Sequence, residues 1–176
     1  CHHAGMSAKS PAFELNTSED NMSVTETDEL ITIASGDLSL EITKLPWSMT
    51  YKHNGNVLSK SGRKDLALMK TDWKGYAYDK GDYTDTYIRQ QLSMGVGELL
   101  YGFGERFTPF VKNGQSIDIF NQDGGTSTEQ SYKNIPFYVS NKGYGVFVNH
   151  PEKVSFEVGT EMVTKAEFSV EGSYLD

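Results

Sequence analysis

Short runs that alternate apolar and polar residues, broken by turn signals roughly every eight to twelve residues, constrain this chain more than any other feature. Leu30-Ile31-Thr32-Ile33 and Leu38-Ser39-Leu40-Glu41-Ile42 alternate on either side of Ser35-Gly36-Asp37, which predicts a hairpin. Ser48 to Lys52 and the pair Val57-Leu58 flank His53-Asn54-Gly55-Asn56, and Asn-Gly is the strongest short hairpin signal because both residues tolerate positive φ. Further strands are expected over Tyr87–Leu92, Ser116–Phe120, Tyr144–Asn149, Val154–Val158 and Ala166–Val170, with a turn centred on Gly159. No amphipathic helical period interrupts them, no repeat recurs and no segment is of low complexity. The 10 Tyr and 9 Phe suit half-buried strands. The expected fold class is therefore all-β, an antiparallel β-sandwich, in 176 residues that make one domain or part of a larger one.

Charge and cysteine usage narrow the function classes. Sixteen basic against 24 acidic side chains give a net charge of -8, with no Lys/Arg cluster to neutralise phosphates, which argues against nucleic acid as a partner. Cys1, the single cysteine, has no partner for an internal disulfide. No apolar run is long enough to span a bilayer, and no signal-peptide pattern is present, so a soluble, cytoplasmic protein without a membrane partner is expected. The opening Cys1-His2-His3-Ala4-Gly5 reads as the remnant of an expression tag, so His2 and His3 carry little weight as metal ligands. Residues 1–29 are read as this remnant plus a flexible polar leader, and 30–176 as the sandwich. The chain ends at Gly172-Ser173-Tyr174-Leu175-Asp176, directly after a strand and without a polar tail, which reads as a truncation.

Three segments resist the simple alternation. Lys60 to Asp85 interleaves Trp73, Tyr76, Tyr78 and Tyr83 with Lys, Asp and Gly, and is expected to be an irregular connection whose aromatics pack on the sandwich edge. Tyr101-Gly102-Phe103-Gly104-Glu105-Arg106-Phe107 places glycines between rings, so the backbone can bend tightly there. It lacks the third glycine of a nucleotide loop, and Glu105 with Arg106 is expected to form an ion pair holding the turn. Pro136 in Asn134-Ile135-Pro136-Phe137-Tyr138 predicts an edge strand or a strand's first residue, because proline cannot donate to the ladder.

Asn121 to Gln130, almost wholly polar, follows the Ser116–Phe120 strand. Amides, carboxylates and hydroxyls in one loop are what recognition of sugar hydroxyls needs, and an ordinary surface loop has the same composition. Asp118 and Asp123 are five residues apart, but nothing fixes their separation or raises one pKa, so they are read as non-catalytic. His150, in a turn with no second ligand at metal spacing, is expected to make a structural hydrogen bond or an interdomain contact. No residue calls for a cofactor or a metal.

Taken in order, Tyr101-Gly102-Phe103-Gly104-Glu105-Arg106-Phe107, the run Asn121 to Tyr138, Gly143-Tyr144-Gly145-Val146-Phe147-Val148-Asn149-His150-Pro151 and Val154 to Gly159 resemble the N-terminal β-sandwich of glycoside hydrolase family 31, in particular its bacterial α-xylosidases. The resemblance runs from about Thr27 to Asp176. It implies a sandwich of galactose-mutarotase type, here incomplete, preceding a (β/α)₈ barrel, with a sandwich loop reaching over the barrel mouth. It also implies that the parent enzyme hydrolyses terminal α-linked xylose or glucose with retention. The nucleophile and acid/base aspartates of that mechanism belong to the barrel, which needs about 250 residues, so none of the catalytic residues is expected in this chain.

By the same resemblance Asp123 helps form the leaving-group side of the sugar site, accepting hydrogen bonds from adjacent hydroxyls, while Thr126 and Thr128 add hydroxyl contacts. Gln122 stands where the family commonly has Arg, which removes a charge partner for Asp123. The implied partners are an α-xyloside or α-glucoside, the downstream barrel of the same chain and further copies of the parent, a homo-oligomer. Two alternatives stand beside this reading, a stand-alone carbohydrate-binding module and a structural domain that packs on a partner. Xylose and glucose both remain open, because the residues reading the sugar's sixth carbon are expected on the barrel. With early strands of the family sandwich missing, unpaired edges predict a marginal or self-associating fold.

Overall fold

The computed structural model describes residues 13, 21–74, 82–121, 131–172 and 174–175. Among these the regular structure is all strand, in three antiparallel sheets. The first is a meander of β1 (Met22–Glu26), β2 (Leu30–Ser35), β3 (Leu38–Lys44), β4 (Trp47–His53) and β5 (Asn56–Gly62). Its hairpins follow the turn chemistry: Gly36 and the pair Asn54-Gly55 all have positive φ, between β2 and β3 and between β4 and β5. β1 pairs with β2 from Met22↔Ser35 to Glu26↔Ile31, so this strand falls within the 1–29 segment expected to be leader. Its five residues are all exposed, and backbone pairing rather than apolar burial holds it. Composition could not have revealed it.

The Lys60–Asp85 expectation is overturned in its larger part. After the turn at Gly62–Asp65, β6 (Leu66–Lys74) pairs with β7 (Asp82–Ser93) from Leu66↔Gln90 to Lys74↔Asp82. The Asp65 carboxylate accepts from the Gly62 amide at 2.7 Å and from Lys165 Nζ at 2.6 Å, which tethers that turn to a residue 100 positions further along the chain. The two strands are consecutive and pair as a long hairpin, which the irregular mix of Lys, Asp, Gly and aromatic residues does not signal by alternation.

β6 and β7 belong to a five-stranded sheet of order β6, β7, β13 (Lys165–Glu171), β12 (Val154–Val158), β9 (Gln115–Ile119). A three-stranded sheet, β11 (Tyr144–Phe147), β10 (Asn134–Ser140), β8 (Leu100–Gly104), faces it. The core lies between them. Val154, Phe156 and Val158 alternate inward from β12, and Ala166, Phe168 and Val170 from β13, all buried. From the opposite layer Phe103 and Tyr138 meet Phe156, with ring centroids 4.8 Å and 6.3 Å apart and steeply inclined planes. The expected sandwich is therefore present, with the meander joined to it where Ser59 Oγ donates to Ser93 O at 2.8 Å and the Lys60 amide donates to Ser93 Oγ at 2.8 Å.

Pro136 is also placed differently from expectation. β10 is the central strand of its sheet, and Pro136 is its third residue. The ladder to β8 is irregular between Asn134 and Tyr138, so no pairing there requires the missing N–H, and the Pro136 carbonyl still accepts from Val148 N at 2.9 Å. β8 supplies the other half of that irregularity. Gly102, Phe103 and Gly104 have φ of 116°, 69° and 84°, a left-handed run that turns the Phe103 ring into the core. A Cβ on Gly104 would collide with the Lys133 carbonyl, so only glycine lets β8 pass this close to the start of β10.

Candidate functional site, the neck of the polar loop

The polar loop leaves β9 at Asn121 and returns at Ser131, and the residues at both ends converge on one side chain. Asn134, the first residue of β10, is buried. Its Nδ2 donates to Phe120 O at 2.9 Å and to Ser131 O at 2.7 Å, so one amide holds both strands of the neck. Its backbone N–H donates to Asn121 Oδ1 at 2.7 Å. Its Oδ1 accepts from the Arg106 guanidinium, which also donates to Asp118 O at 3.0 Å. Ser131 Oγ donates to Glu105 O and accepts from Lys133 N at 3.2 Å, while Glu105 N donates to Lys133 O at 2.9 Å. The left-handed run in β8 makes this possible, because it brings Glu105 and Arg106 out of the ladder and beside Ser131, Lys133 and Asn134.

The expected Glu105–Arg106 ion pair is not what forms. Glu105 pairs with Lys133 at 3.2 Å, both side chains mostly exposed, while Arg106 points to Asn134 and the β9 carbonyl. Successive residues at the end of a strand point to opposite faces, which separates the two charges. Asp118 lies on the outward face of β9, where Lys153 Nζ reaches it at 2.6 Å and Ser155 Oγ donates at 2.7 Å. Burial by itself would raise this carboxyl, but the hydrogen bonds from Lys153 and Ser155 and the charges of Lys153 and Arg106 hold it below the ordinary value of 3.8. A carboxylate kept ionised by a cross-strand lysine is a surface tether and a poor proton donor.

Asp123, Thr126 and Thr128, with Gln122, lie outside the described residues, as do the side chains of Trp73, Tyr76, Tyr78 and Tyr83. His150 is buried; its Nδ1 accepts from Glu152 N at 3.2 Å and its ring stands 5.8 Å from that of Tyr174, so it makes the structural hydrogen bond expected of it. Sequence reasoning missed Asn134, Arg106 and Ser131 as a unit. The available signal was a polar residue opening a strand directly after a polar loop, a place where its amide can satisfy loop carbonyls.

A second concavity shares no residue with the neck. It has a volume of about 740 Å³ between the meander and the sandwich, walled by apolar groups such as Ile33, Leu40, Leu92, Val146 and Phe168, with Lys52, His53, Ser59, Gln90 and Tyr144 among its polar residues. Beside it the buried Glu98 carboxylate accepts from Ser140 Oγ at 2.6 Å, Tyr144 OH at 2.5 Å and Gly95 N at 2.7 Å. Burial and this carboxylate push the Tyr144 hydroxyl well above its ordinary value. These bonds are satisfied within the fold, and among the described residues the cavity is lined by no carboxylate and by one side-chain amide, that of Gln90.

Comparison with known proteins decides the family. Residues 2–157 match the glycosyl hydrolase 31 N-terminal galactose mutarotase-like domain. The chain belongs to that family. The match includes the opening segment read as tag remnant and leader. The α-xylosidase XylQ of Lactiplantibacillus pentosus is 42% identical over 174 residues, which are 98% of this chain and 22% of that protein. An α-xylosidase of Emericella nidulans is 44% identical over 187 residues, covering 99% of this chain and 24% of its own length. The chain thus spans about a quarter of the length of these curated relatives. Among solved structures, the cycloalternan-forming enzyme from Listeria monocytogenes in complex with pentasaccharide substrate superposes with a TM-score of 0.71 at 23% identity over 93% of this chain and 16% of that one, a likeness of fold.

Proposed function

We propose that this chain is the N-terminal domain of a retaining α-glycosidase that removes terminal α-linked xylose or glucose, and that it supplies the 121–131 loop to the leaving-group side of the active site. The observation that carries the reading is the neck, in a chain of this family: a wholly polar loop is fixed at both ends by Asn134 and Arg106, and a loop that only bridged two strands would not need such anchoring. Asp123 accepts hydrogen bonds from adjacent sugar hydroxyls and Thr126 and Thr128 add to them, so the loop orients the sugar and the downstream barrel breaks the bond. The parent protein works as a homo-oligomer, which sedimentation velocity measures; a monomer at working concentration would refute that part.

The test is Asp123→Ala in the full-length protein, assayed on an aryl α-xyloside and on an α-xylosyl disaccharide. Loss of a charged hydrogen bond, worth about 1.5–3 kcal/mol, lowers kcat/KM by roughly 10- to 100-fold. An unchanged kcat/KM on both substrates sinks the sugar-loop reading and leaves a domain that only packs on its partner.

A further inference from the structure

Asparagine followed by glycine occurs twice, at Asn54-Gly55 and Asn113-Gly114, and the fold treats the two pairs in opposite ways. Such a pair is chemically labile wherever the glycine nitrogen can reach the preceding carboxamide, because glycine has no side chain to obstruct the approach. Asn113-Gly114, in the turn before β9, is locked. Asn113 Oδ1 accepts from Leu100 N at 2.9 Å and its Nδ2 donates to Glu98 O at 3.0 Å, so the carboxamide bridges the start of β8. The Gly114 N–H is held as well, donating to Val158 O at 2.6 Å. Asn54-Gly55, between β4 and β5, is open. Residues His53 to Val57 are all exposed, and nothing lies within 4 Å of where a Gly55 side chain would begin. The turn is fixed through the Asn54 N–H, which donates to Asp37 O at 2.8 Å, while among the described residues neither the Asn54 carboxamide nor the Gly55 N–H has a hydrogen-bond partner.

We infer that Asn54 is a site of spontaneous deamidation in the folded protein, and that the fold exempts Asn113. The Gly55 nitrogen attacks Asn54 Cγ and forms a new C–N bond. The bond from Cγ to the carboxamide nitrogen breaks, and ammonia leaves with the proton given up by the Gly55 N–H. Water, the one co-reactant, then opens the resulting succinimide at either carbonyl. Opening at one returns an ordinary backbone with aspartate at position 54. Opening at the other routes the chain through the former side chain as isoaspartate, which inserts a methylene into the turn, and both products place a new carboxylate there. β5 leaves this turn to reach Ser59 and Lys60, whose contacts with Ser93 join the meander to the sandwich, so isoaspartate at 54 alters the hairpin that carries that join. At Asn113-Gly114 the same reaction must first break the bonds to Leu100, Glu98 and Val158, each of which slows it several-fold.

The test is incubation of the full-length protein in mildly alkaline buffer, with digestion at successive times and mass spectrometry to locate the gain of about 1 Da that accompanies deamidation. Fragmentation of the peptides separates Asn54 from nearby Asn56, and Asn113 from Asn121. In the folded protein Asn54 converts at least about tenfold faster than Asn113, because only Asn113 has bonds to break. In guanidinium chloride the two rates come within about threefold of each other, since both pairs then offer the same glycine and no fold holds either. A ratio below about tenfold in the folded protein, whether both sites convert alike or neither converts, overturns the inference. A ratio above about threefold that persists in the unfolded protein overturns it too, because flanking residues rather than hydrogen bonds then set the selectivity.

Discussion

Asn134→Ala is the sharpest probe of the neck. The substitution deletes two donated hydrogen bonds, to Phe120 O and Ser131 O, and the acceptor of the Arg106 guanidinium. The site is buried, with 7% of the residue exposed, so water does not freely replace them. Two neutral bonds at about 1 kcal/mol each and one to a charged donor at about 1.5–3 kcal/mol give a total of about 3.5–5 kcal/mol. Urea unfolding of the chain measures this, with the midpoint falling at constant m. The Asn134→Asp variant keeps the acceptor for Arg106 but sets a carboxylate against two carbonyls, so it does not rescue the loss. In the full-length protein the Asn134→Ala substitution also lowers kcat/KM, because the loop it tethers is no longer preorganised. A stability change below about 1 kcal/mol refutes the additive accounting and the claim that one amide closes the neck.

Three other outcomes follow from the packing. Tyr138 is buried in the core and its hydroxyl has no partner among the described residues, so Tyr138→Phe leaves stability unchanged or raises it by about 1 kcal/mol in urea unfolding. Gly104→Ala places a Cβ on the Lys133 carbonyl at a backbone φ of 84°, and lowers stability by about 3 kcal/mol or prevents folding, measured in the same way. Burial raises the phenols of Tyr51, Tyr138 and Tyr144 above the ordinary 10.0, with Glu98 adding to the rise at Tyr138 and Tyr144. Their stabilisation is complete below pH 10 and is lost as pH climbs toward the folded values, so tyrosinate absorbance and loss of fold should rise together above that pH, whereas a reversible titration of all tyrosines in the folded chain would contradict the burial.

What was legible in the sequence was whatever is encoded over a few neighbouring residues. The period-two alternation of Val154–Val158 and Ala166–Val170, the turn at Asn54-Gly55 and the positive-φ glycines between the rings of Tyr101 to Phe107 depend only on backbone sterics and on which face a side chain takes, and the structure has each of them. The family, too, was legible, because several motifs stand in a fixed order. Only the tertiary structure determined the exposed β1, the β6 and β7 pair, the internal position of Pro136 and the divorce of Glu105 from Arg106. Each of these turns on a contact that composition does not encode: backbone pairing with β2 for the exposed β1, Lys165 for the turn before β6, a ladder irregularity that spares the proline, and Lys133 and Asn134 competing for two adjacent charges. The neck belongs to the same class, since an asparagine amide is ambiguous in sequence and acquires its role only when folding sets Phe120, Ser131 and Arg106 around it.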